Sequence, residues 1–119
     1  MRILIVDDSK AMRSIVRRTI AAVGPEVAFE EASNGAEALV KIKASTPGLV
    51  VADWNMPEMT GIELLKALRA GGSDVKLGFV TSEGTDSMKA EALQAGACFF
   101  LCKPFSNETL QDAIKPLLG

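Results

Sequence analysis

Five short apolar runs, each followed by a stretch of helical periodicity, constrain the fold of this chain more than any other feature. The runs predict strands at 3–6, 27–32, 49–52, 75–80 and 97–102. After each run, apolar residues recur at the spacing of a helix that buries one face. Strands that alternate with helices in this way build βα units around a parallel sheet. We therefore predict an α/β fold: one doubly wound (βα)5 domain with helices on both faces of a five-stranded parallel sheet.

Polar side chains mark where the predicted helices begin. The candidate N-caps are Ser9, Asn34, Thr60 and Ser106. A glutamate stands three residues after Asn34 and after Thr60, which predicts a capping box in both helices. The first helical pattern runs through Val23, and the pattern at 85–95 is rich in small residues and poorly amphipathic. Pro116 removes a helix hydrogen bond, so we expect a kink or a frayed final turn at the end of the last helix.

Length and charge exclude several classes of protein. The chain has 119 residues, enough for one ordinary domain and too few for two. Its net charge of −2 argues against a nucleic-acid binder, which usually carries a basic patch. No apolar run approaches the ~18 residues that span a bilayer, and the N-terminus lacks the apolar region of a signal peptide. We expect a cytoplasmic monomer whose residues 1–119 form one domain, with no output domain.

The two cysteines, Cys98 and Cys102, lie four residues apart in the fifth predicted strand. That spacing separates them by roughly 13 Å along a strand, whereas a disulfide needs Cα atoms within about 7 Å. We expect free thiols that serve as small apolar filler. A metal or redox pair would need CxxC spacing or a histidine, and the chain contains no histidine.

Polar residues also collect where the predicted strands end. Asp7 and Asp8 follow the first strand, Asp53 the third, Thr81 the fourth and Lys103 the fifth. In an open α/β sheet, ligands bind outside the carboxyl ends of the strands, where the strand order reverses. We therefore expect these five side chains to converge on one edge of the sheet.

The composition of this edge indicates phosphoryl transfer. Two carboxylates about 4 Å apart repel each other by roughly 4 kcal/mol at an effective dielectric constant of about 20, so a group of carboxylates needs a cation. Oxygen ligands without histidine or cysteine favour Mg2+, which also bridges to phosphate oxygens. The lysine and the threonine can bind a phosphoryl group. One carboxylate then remains free to act as the nucleophile that forms an acyl phosphate.

Four motifs carry a resemblance to a known family: VDDS (6–9), DWNMPEMTG (53–61), VTSEG (80–84) and CKPF (102–105). In this order and spacing they resemble the response-regulator receiver domains of two-component signalling, and most of all the stand-alone regulators of chemotaxis. The resemblance covers essentially the whole chain. It implies a flavodoxin-like sheet with strand order 2-1-3-4-5. It also implies a protein that accepts phosphate from a sensor histidine kinase, phosphorylates itself from small phosphodonors and slowly hydrolyses the product.

The resemblance assigns the acidic residues to a metal site. Asp53 would be the phosphorylated residue and, together with Asp8, a direct Mg2+ ligand. Asp7 would act on the metal largely through water, and Asn55 would offer its backbone carbonyl.

The remaining site residues would respond to the phosphoryl group. Thr81 and Lys103 would bind its oxygens and complete the catalytic set with Asp53. Phe100 would be the aromatic switch residue, and the Lys103–Pro104 peptide bond would be cis. Trp54, beside the phosphorylated residue, is expected to be a packing residue.

Some positions depart from the family pattern. Phe100 stands where chemotaxis regulators usually have tyrosine, so it cannot offer a hydroxyl to a partner. Thr60 stands where the family often has aspartate. The surface of the fourth helix, fifth strand and fifth helix, the family's usual docking face, also differs, which makes a flagellar-motor target a weaker expectation than the phosphorylation chemistry.

Other functions stay open at this point. Within the same class, the chain could be an intermediate or a phosphate sink in a phosphorelay. An Mg2+-dependent phosphatase would also use an aspartate nucleophile, but the sequence has no insertion for a substrate cap. A phosphate-independent adaptor would have no use for the acidic residues, and a flavin binder would need a Ser/Thr/Gly phosphate loop after the first strand.

Overall fold

The computed structural model describes residues 1–118 and contains five strands and five α-helices that alternate along the chain. The strands are β1 (Arg2–Val6), β2 (Ala28–Ala32), β3 (Leu49–Ala52), β4 (Leu77–Thr81) and β5 (Phe100–Cys102). The helices are α1 (Lys10–Ala21), α2 (Gly35–Ala44), α3 (Gly61–Ala70), α4 (Asp86–Gln94) and α5 (Asn107–Ile114), and a 3-10 turn, Lys115–Leu117, follows α5.

All five strands form one parallel sheet in the order β2-β1-β3-β4-β5. The register aligns the carboxyl ends of the central strands, because Val6 pairs with Ala52 and Ala52 pairs with Phe79. The strand order reverses between β1 and β3, so the chain leaves the sheet in opposite directions on either side of this point. The predicted fold class and strand order are both confirmed.

Alternate side chains of the strands enter two separate cores. On one face, Leu4, Val6 and Phe79 pack against α2, α3 and α4. On the other face, Ile3 and Ile5 pack against α1 and α5. Every residue of β3 and β4 is buried, as expected for strands covered on both faces. This buried centre holds the strand that leads into Asp53 and the strand that ends at Thr81.

The predicted N-caps are present, with one difference. Thr60 forms a complete capping box, since its hydroxyl accepts from the Glu63 amide and the Glu63 carboxylate accepts from the Thr60 amide. Asn34 accepts from the Glu37 amide at 2.8 Å, but the Glu37 carboxylate accepts from the hydroxyl of Ser33 instead of returning to Asn34. The second predicted capping box is therefore incomplete, because a serine hydroxyl one residue earlier competes for the same carboxylate.

Several predicted boundaries were wrong. The first helix ends at Ala21, two residues before Val23, because the Val23 amide bonds to the Ile20 carbonyl and tightens the final turn. The fifth strand is Phe100–Cys102, since the chain before it makes isolated bonds to β4, and the fourth begins at Leu77. The frayed end predicted from Pro116 is confirmed by the 3-10 turn.

The two thiols are free but do not fill the core. Cys98 and Cys102 are both unpaired within the described residues, and both are exposed. The prediction of free thiols is confirmed, and the prediction that they act as apolar filler was wrong. Sequence alone could not reveal this, because β5 lies at the edge of the sheet and one side of it remains open. None of the described helices is long and apolar enough to cross a bilayer.

Candidate functional site

Three carboxylates meet at the carboxyl edge of the sheet. Asp7 and Asp8 follow β1, and Asp53 follows β3, so the strand register places them side by side. One carboxylate oxygen from each residue lies within 4.8 Å of the others. Asp7 and Asp53 are buried, whereas Asp8 is exposed. The cluster is thus open to solvent on one side and could hold a metal ion.

Backbone hydrogen bonds hold the two buried aspartates in the sheet. The Asp53 amide donates to the Val6 carbonyl at 2.9 Å, and the Asp7 amide donates to the Ala32 carbonyl at 3.1 Å. These bonds extend the sheet ladder by one residue beyond β3 and β1. The aspartate side chains therefore leave from rigid backbone rather than from mobile loops.

Gly61, at the start of α3, packs directly against the backbone of Asp53. Its amide donates to the Trp54 carbonyl at 2.8 Å. A Cβ atom at this position would lie 2.2 Å from the Asp53 carbonyl oxygen and 2.7 Å from Cε1 of Phe79. Only glycine allows the start of α3 to approach the Asp53 backbone this closely.

Lys103 is the cation nearest to the acidic cluster. Its Nζ lies 3.4 Å from Oδ2 of Asp7 and 3.8 Å from Oδ2 of Asp53, and its side chain is largely buried. The Lys103 amide donates to the Thr81 carbonyl, which anchors the residue to the end of β4. The Lys103–Pro104 peptide bond is cis, as the resemblance implies.

Burial and charge both act on the protonation of the aspartates. Burial raises the pKa of Asp53 above its ordinary value, the positive charge of Lys103 opposes this rise, and the negative charge of Asp7 adds to it. Burial likewise raises the pKa of Asp7, against the hydrogen bond from the Ser9 amide and the charge of Lys103. The single lysine therefore leaves the carboxylates short of positive charge.

One oxygen of Asp53 is open to a further ligand. Oδ1 of Asp53 is buried and has no well-aligned hydrogen-bond partner among the described residues, although the nearby Trp54 and Asn55 amides lower the pKa of this carboxylate. A buried carboxylate oxygen without a donor is costly. Oxygen ligands of this kind, with water access through exposed Asp8, fit a hard divalent cation such as Mg2+. Asn55, the other predicted ligand residue, lies two positions after Asp53 with an exposed side chain.

The Thr81 hydroxyl is at this edge of the sheet but is directed into its own loop. It donates to the Glu83 carbonyl at 3.1 Å and accepts from the Glu83 amide at 3.3 Å, and the residue is fully buried. A role in binding phosphoryl oxygens therefore requires the hydroxyl to leave the Glu83 carbonyl. The sequence contains no sign of this competing partner.

Phe100 belongs to an aromatic group beside Asp53. Its ring packs edge-to-face against Trp54 at a centroid distance of 6.0 Å and lies 6.4 Å from Phe79. Trp54 is buried, as predicted for a packing residue, and its ring lies 5.2 Å from that of Phe79. Phe100 itself is half-buried, with Gly84 of the β4–α4 loop close to its ring.

Comparison with known families accounts for this combination of fold and site. The family model described as "Response regulator receiver domain" matches residues 3–115. The chain belongs to the response regulator receiver domain family. The acidic cluster, Lys103 and the aromatic group therefore lie at the carboxyl edge of the sheet in a receiver domain.

Curated relatives and solved structures agree with this assignment. The receiver domain is 37% identical to chemotaxis protein CheY1 of Helicobacter pylori, with 100% of this chain and 98% of the relative aligned. It is also 37% identical to a chemotaxis protein CheY homolog of Campylobacter jejuni, over 100% of this chain and 93% of the relative. The structure of chemotaxis protein CheY4 of Vibrio cholerae matches with a TM-score of 0.85 and 34% identity, over 98% and 97% of the two chains.

Two residues that border the acidic cluster were not predicted from the sequence. Gly61 lies within the motif at 53–61, and a glycine directly after the N-cap Thr60 indicates a close approach of the backbone. Arg13 donates to the Asp7 carbonyl at 2.6 Å. Nothing in the sequence separates this arginine from Arg17 and Arg18 of the same helix.

Proposed function

We propose that this receiver domain is a signalling switch that is turned on by Mg2+-dependent phosphorylation of Asp53. The observation that carries the proposal is the orphaned, buried Oδ1 of Asp53 within a group of three carboxylates. A carboxylate oxygen without a partner is available to ligate a metal or to accept a phosphoryl group. Burial raises the pKa of Asp53, and the negative charge of Asp7 adds to the rise. A divalent cation would offset both effects, because it stabilises the ionised carboxylate.

The proposed reaction is an in-line displacement at phosphorus. A carboxylate oxygen of Asp53 forms a bond to phosphorus, the bond between phosphorus and a histidine nitrogen of the donor breaks, and the electron pair stays on that imidazole. Asp8, Asp53 and the Asn55 carbonyl would hold Mg2+ directly, and Asp7 would hold it through water. The metal would neutralise charge on the phosphoryl oxygens. Lys103, now shared between Asp7 and Asp53, would turn to the phosphoryl group.

Switching would follow from the loss of one hydrogen bond. In the state described above, the Thr81 hydroxyl donates to the Glu83 carbonyl. Phosphoryl oxygens on Asp53 are stronger acceptors, so the hydroxyl would leave Glu83 and free the loop that packs over Phe100. Phe100 would then move into the vacated space, and the surface formed by α4, β5 and α5 would change its affinity for a partner.

Two kinds of protein partner fit this switch. The phosphodonor would be a sensor histidine kinase, and small phosphodonors would also react. A groove of about 460 Å³ beside Lys103, lined by apolar Met12, Ile15 and Phe105, lies where such a donor would approach. The names of the chemotaxis relatives support a phosphate-dependent target in chemotaxis, such as the flagellar motor switch. The alternative is a phosphorelay intermediate or a phosphate sink. We further propose that the domain acts as a cytoplasmic monomer.

Labelling with acetyl phosphate tests the proposal. Wild-type protein with Mg2+ should acquire one phosphoryl group per chain, labile to hydroxylamine as an acyl phosphate is, and EDTA should prevent labelling. Asp53→Ala should abolish the label, while Asp74→Ala, which removes an exposed aspartate away from the site, should not. Equal labelling of the Asp53→Ala variant would refute the assignment.

Affinity capture with the beryllofluoride-treated and the untreated protein tests the output. A partner retained only after treatment would support the switch, and a motor component would favour the chemotaxis role over the phosphorelay. Sustained turnover of p-nitrophenyl phosphate would instead indicate a phosphatase.

A further inference from the structure

Arg13 links the acidic site to a neighbouring strand. Its Nη1 donates to the Asp7 carbonyl at 2.6 Å, and its Nε donates to Oε1 of Glu31 at 2.8 Å. Glu31 lies in β2, whereas Arg13 lies in the first turns of α1. The Arg13 side chain is only 15% exposed. One planar guanidinium thus spans α1, β2 and the loop that carries the two consecutive aspartates.

The bond to the Asp7 carbonyl acts on Asp8. A peptide group is planar and rigid, so the Asp7 carbonyl and the Asp8 amide turn together. Asp8 is exposed, and its side chain does not appear in any hydrogen bond or ion pair among the described residues. The peptide plane that the Arg13 guanidinium holds therefore sets the direction in which the chain enters Asp8.

Glu31 fixes the guanidinium in turn. One oxygen of its carboxylate accepts a hydrogen bond from Arg13 Nε, and Nη1 of Arg17 lies 3.5 Å from the other oxygen. The Glu31 carbonyl also accepts from Lys41 of α2 at 2.5 Å, which anchors the residue from its backbone side. Arg17, by contrast, is half-exposed and forms no hydrogen bond or ion pair with the acidic cluster within residues 1–118. The two arginines share Glu31 but differ in their contact with the metal site.

We propose that Arg13 is a positioning residue for the metal site: it orients the Asp7–Asp8 peptide so that the Asp8 carboxylate meets those of Asp7 and Asp53. This inference rests on the proposed function, because it concerns the affinity of the same site for Mg2+. Arg13 does not contact the metal position itself, and its effect passes through the peptide plane.

If Arg13 acted only through its charge, its removal would change the Mg2+ affinity in the opposite direction. A positive charge beside a cation site repels the cation, so removal of that charge alone would tighten Mg2+ binding. A positioning role predicts weaker binding after the same change, since a ligand loses its orientation. The direction of the change in affinity therefore separates the two roles.

Calorimetric titration with Mg2+ alone tests the inference in the full chain. Arg13→Met should weaken Mg2+ binding about tenfold, the low end of the range for residues that support a metal ligand. Arg13→Lys keeps the charge but lacks the planar fork, so it should weaken binding by about threefold. Arg17→Met is the matched control, because it also removes one positive charge from Glu31. It should change the Mg2+ affinity by less than about twofold. The 15N shift of the Asp8 amide, whose peptide carries the Arg13 bond, should move in both Arg13 variants and stay constant in Arg17→Met.

Each outcome has a defined meaning. Unchanged or tighter Mg2+ binding by Arg13→Met would overturn the positioning role while the proposed function stood. If that variant does not fold, as judged by circular dichroism, Arg13→Lys decides, and wild-type affinity in it would overturn the inference. If the wild-type protein itself binds no Mg2+, the proposed function fails and this inference fails with it.

Discussion

At the scale of single residues, the site is defined by an imbalance of charge. Asp7, Asp8 and Asp53 face one nearby lysine, and the two buried members have raised pKa values because burial disfavours their charged forms. The arrangement costs stability when no cation is bound. The proposed role of Asp53 thus opposes stability, a trade-off that is common at reactive sites.

Asp53→Asn should therefore stabilise the metal-free protein. We expect the free energy of unfolding in EDTA to rise by about 1 kcal/mol at neutral pH, since the change removes the repulsion from Asp7 but also the attraction to Lys103. The folded-state pKa of Asp53 lies above the ordinary 3.8, so the ionised form carries the penalty. The gain should be absent below pH 3.8 and should appear as the pH rises through the raised pKa.

Urea unfolding of the two proteins at several pH values measures this difference. Asp74→Asn, at an exposed position, serves as the control and should change stability by less than about 0.5 kcal/mol. A loss of stability in Asp53→Asn at neutral pH would contradict the charge imbalance.

Gly61→Ala should damage both the fold and the site. The new Cβ would meet the Asp53 carbonyl oxygen at 2.2 Å, so the backbone of Asp53 or α3 must shift. We expect a loss of about 2–3 kcal/mol in unfolding free energy, together with weaker Mg2+ binding. Gly71→Ala is the matched control, because its nearest contact would be at 3.4 Å and its φ is −83°. Equal stability of the two variants in thermal unfolding would contradict the proposed close approach.

At the scale of elements, short capping motifs determine where each helix leaves the site edge. Ser9, Thr60, Thr85 and Ser106 each accept a hydrogen bond from the amide three residues later. The starts of α1, α3, α4 and α5 are fixed by these bonds. As a result, the loops that follow β1, β3, β4 and β5 are each tied to a strand at one end and to a helix N-cap at the other.

Thr60→Ala tests the contribution of one cap. The change removes the hydroxyl that accepts from the Glu63 amide and breaks the only complete capping box recorded among residues 1–118. It should lower the free energy of unfolding by about 1 kcal/mol, the usual value of an N-cap. Thr60→Ser should retain most of the stability in the same urea titration. An equal loss in both variants would mean that the threonine methyl group, not the cap, stabilises α3.

At the scale of the whole molecule, the proposed Mg2+ site depends on the assembled sheet. The site combines residues that follow β1, β3 and β5 with the last residue of β4. These positions are adjacent only in the folded chain. A ligand that binds this arrangement and not the unfolded chain must stabilise the fold. Such coupling is a property of the assembled sheet and of no single element.

Mg2+ should therefore raise global stability. At free Mg2+ about 100-fold above the dissociation constant, the free energy of unfolding should increase by about 2.7 kcal/mol. Trp54, the single tryptophan, is buried beside Asp53 and should report binding through its fluorescence, with a further change on adding beryllofluoride. Asp8→Asn should lose most of the Mg2+ effect in both measurements. If Mg2+ changed neither the free energy of unfolding nor the Trp54 fluorescence, the proposed metal site would be contradicted.

Much of this architecture was determined by the sequence itself. The apolar runs predicted all five strands, and their ends predicted that Asp7, Asp8, Asp53, Thr81 and Lys103 would share one edge. Both inferences succeeded because burial has a regular period along the chain and because parallel strands must end on the same side. The strand order came from the family resemblance, since periodicity carries no information about neighbours in the sheet.

Only the tertiary structure decided which partner each polar group takes. The Thr81 hydroxyl bonds to Glu83, the Glu37 carboxylate bonds to Ser33, and Arg13 rather than Arg17 reaches Asp7. Several donors and acceptors compete for every such bond, and distances of a few tenths of an ångström determine the choice. The same holds for the exposure of Cys98 and Cys102, which depends on what covers the edge strand. Local sequence thus determines which groups reach the site, whereas packing between distant elements determines how they are paired there.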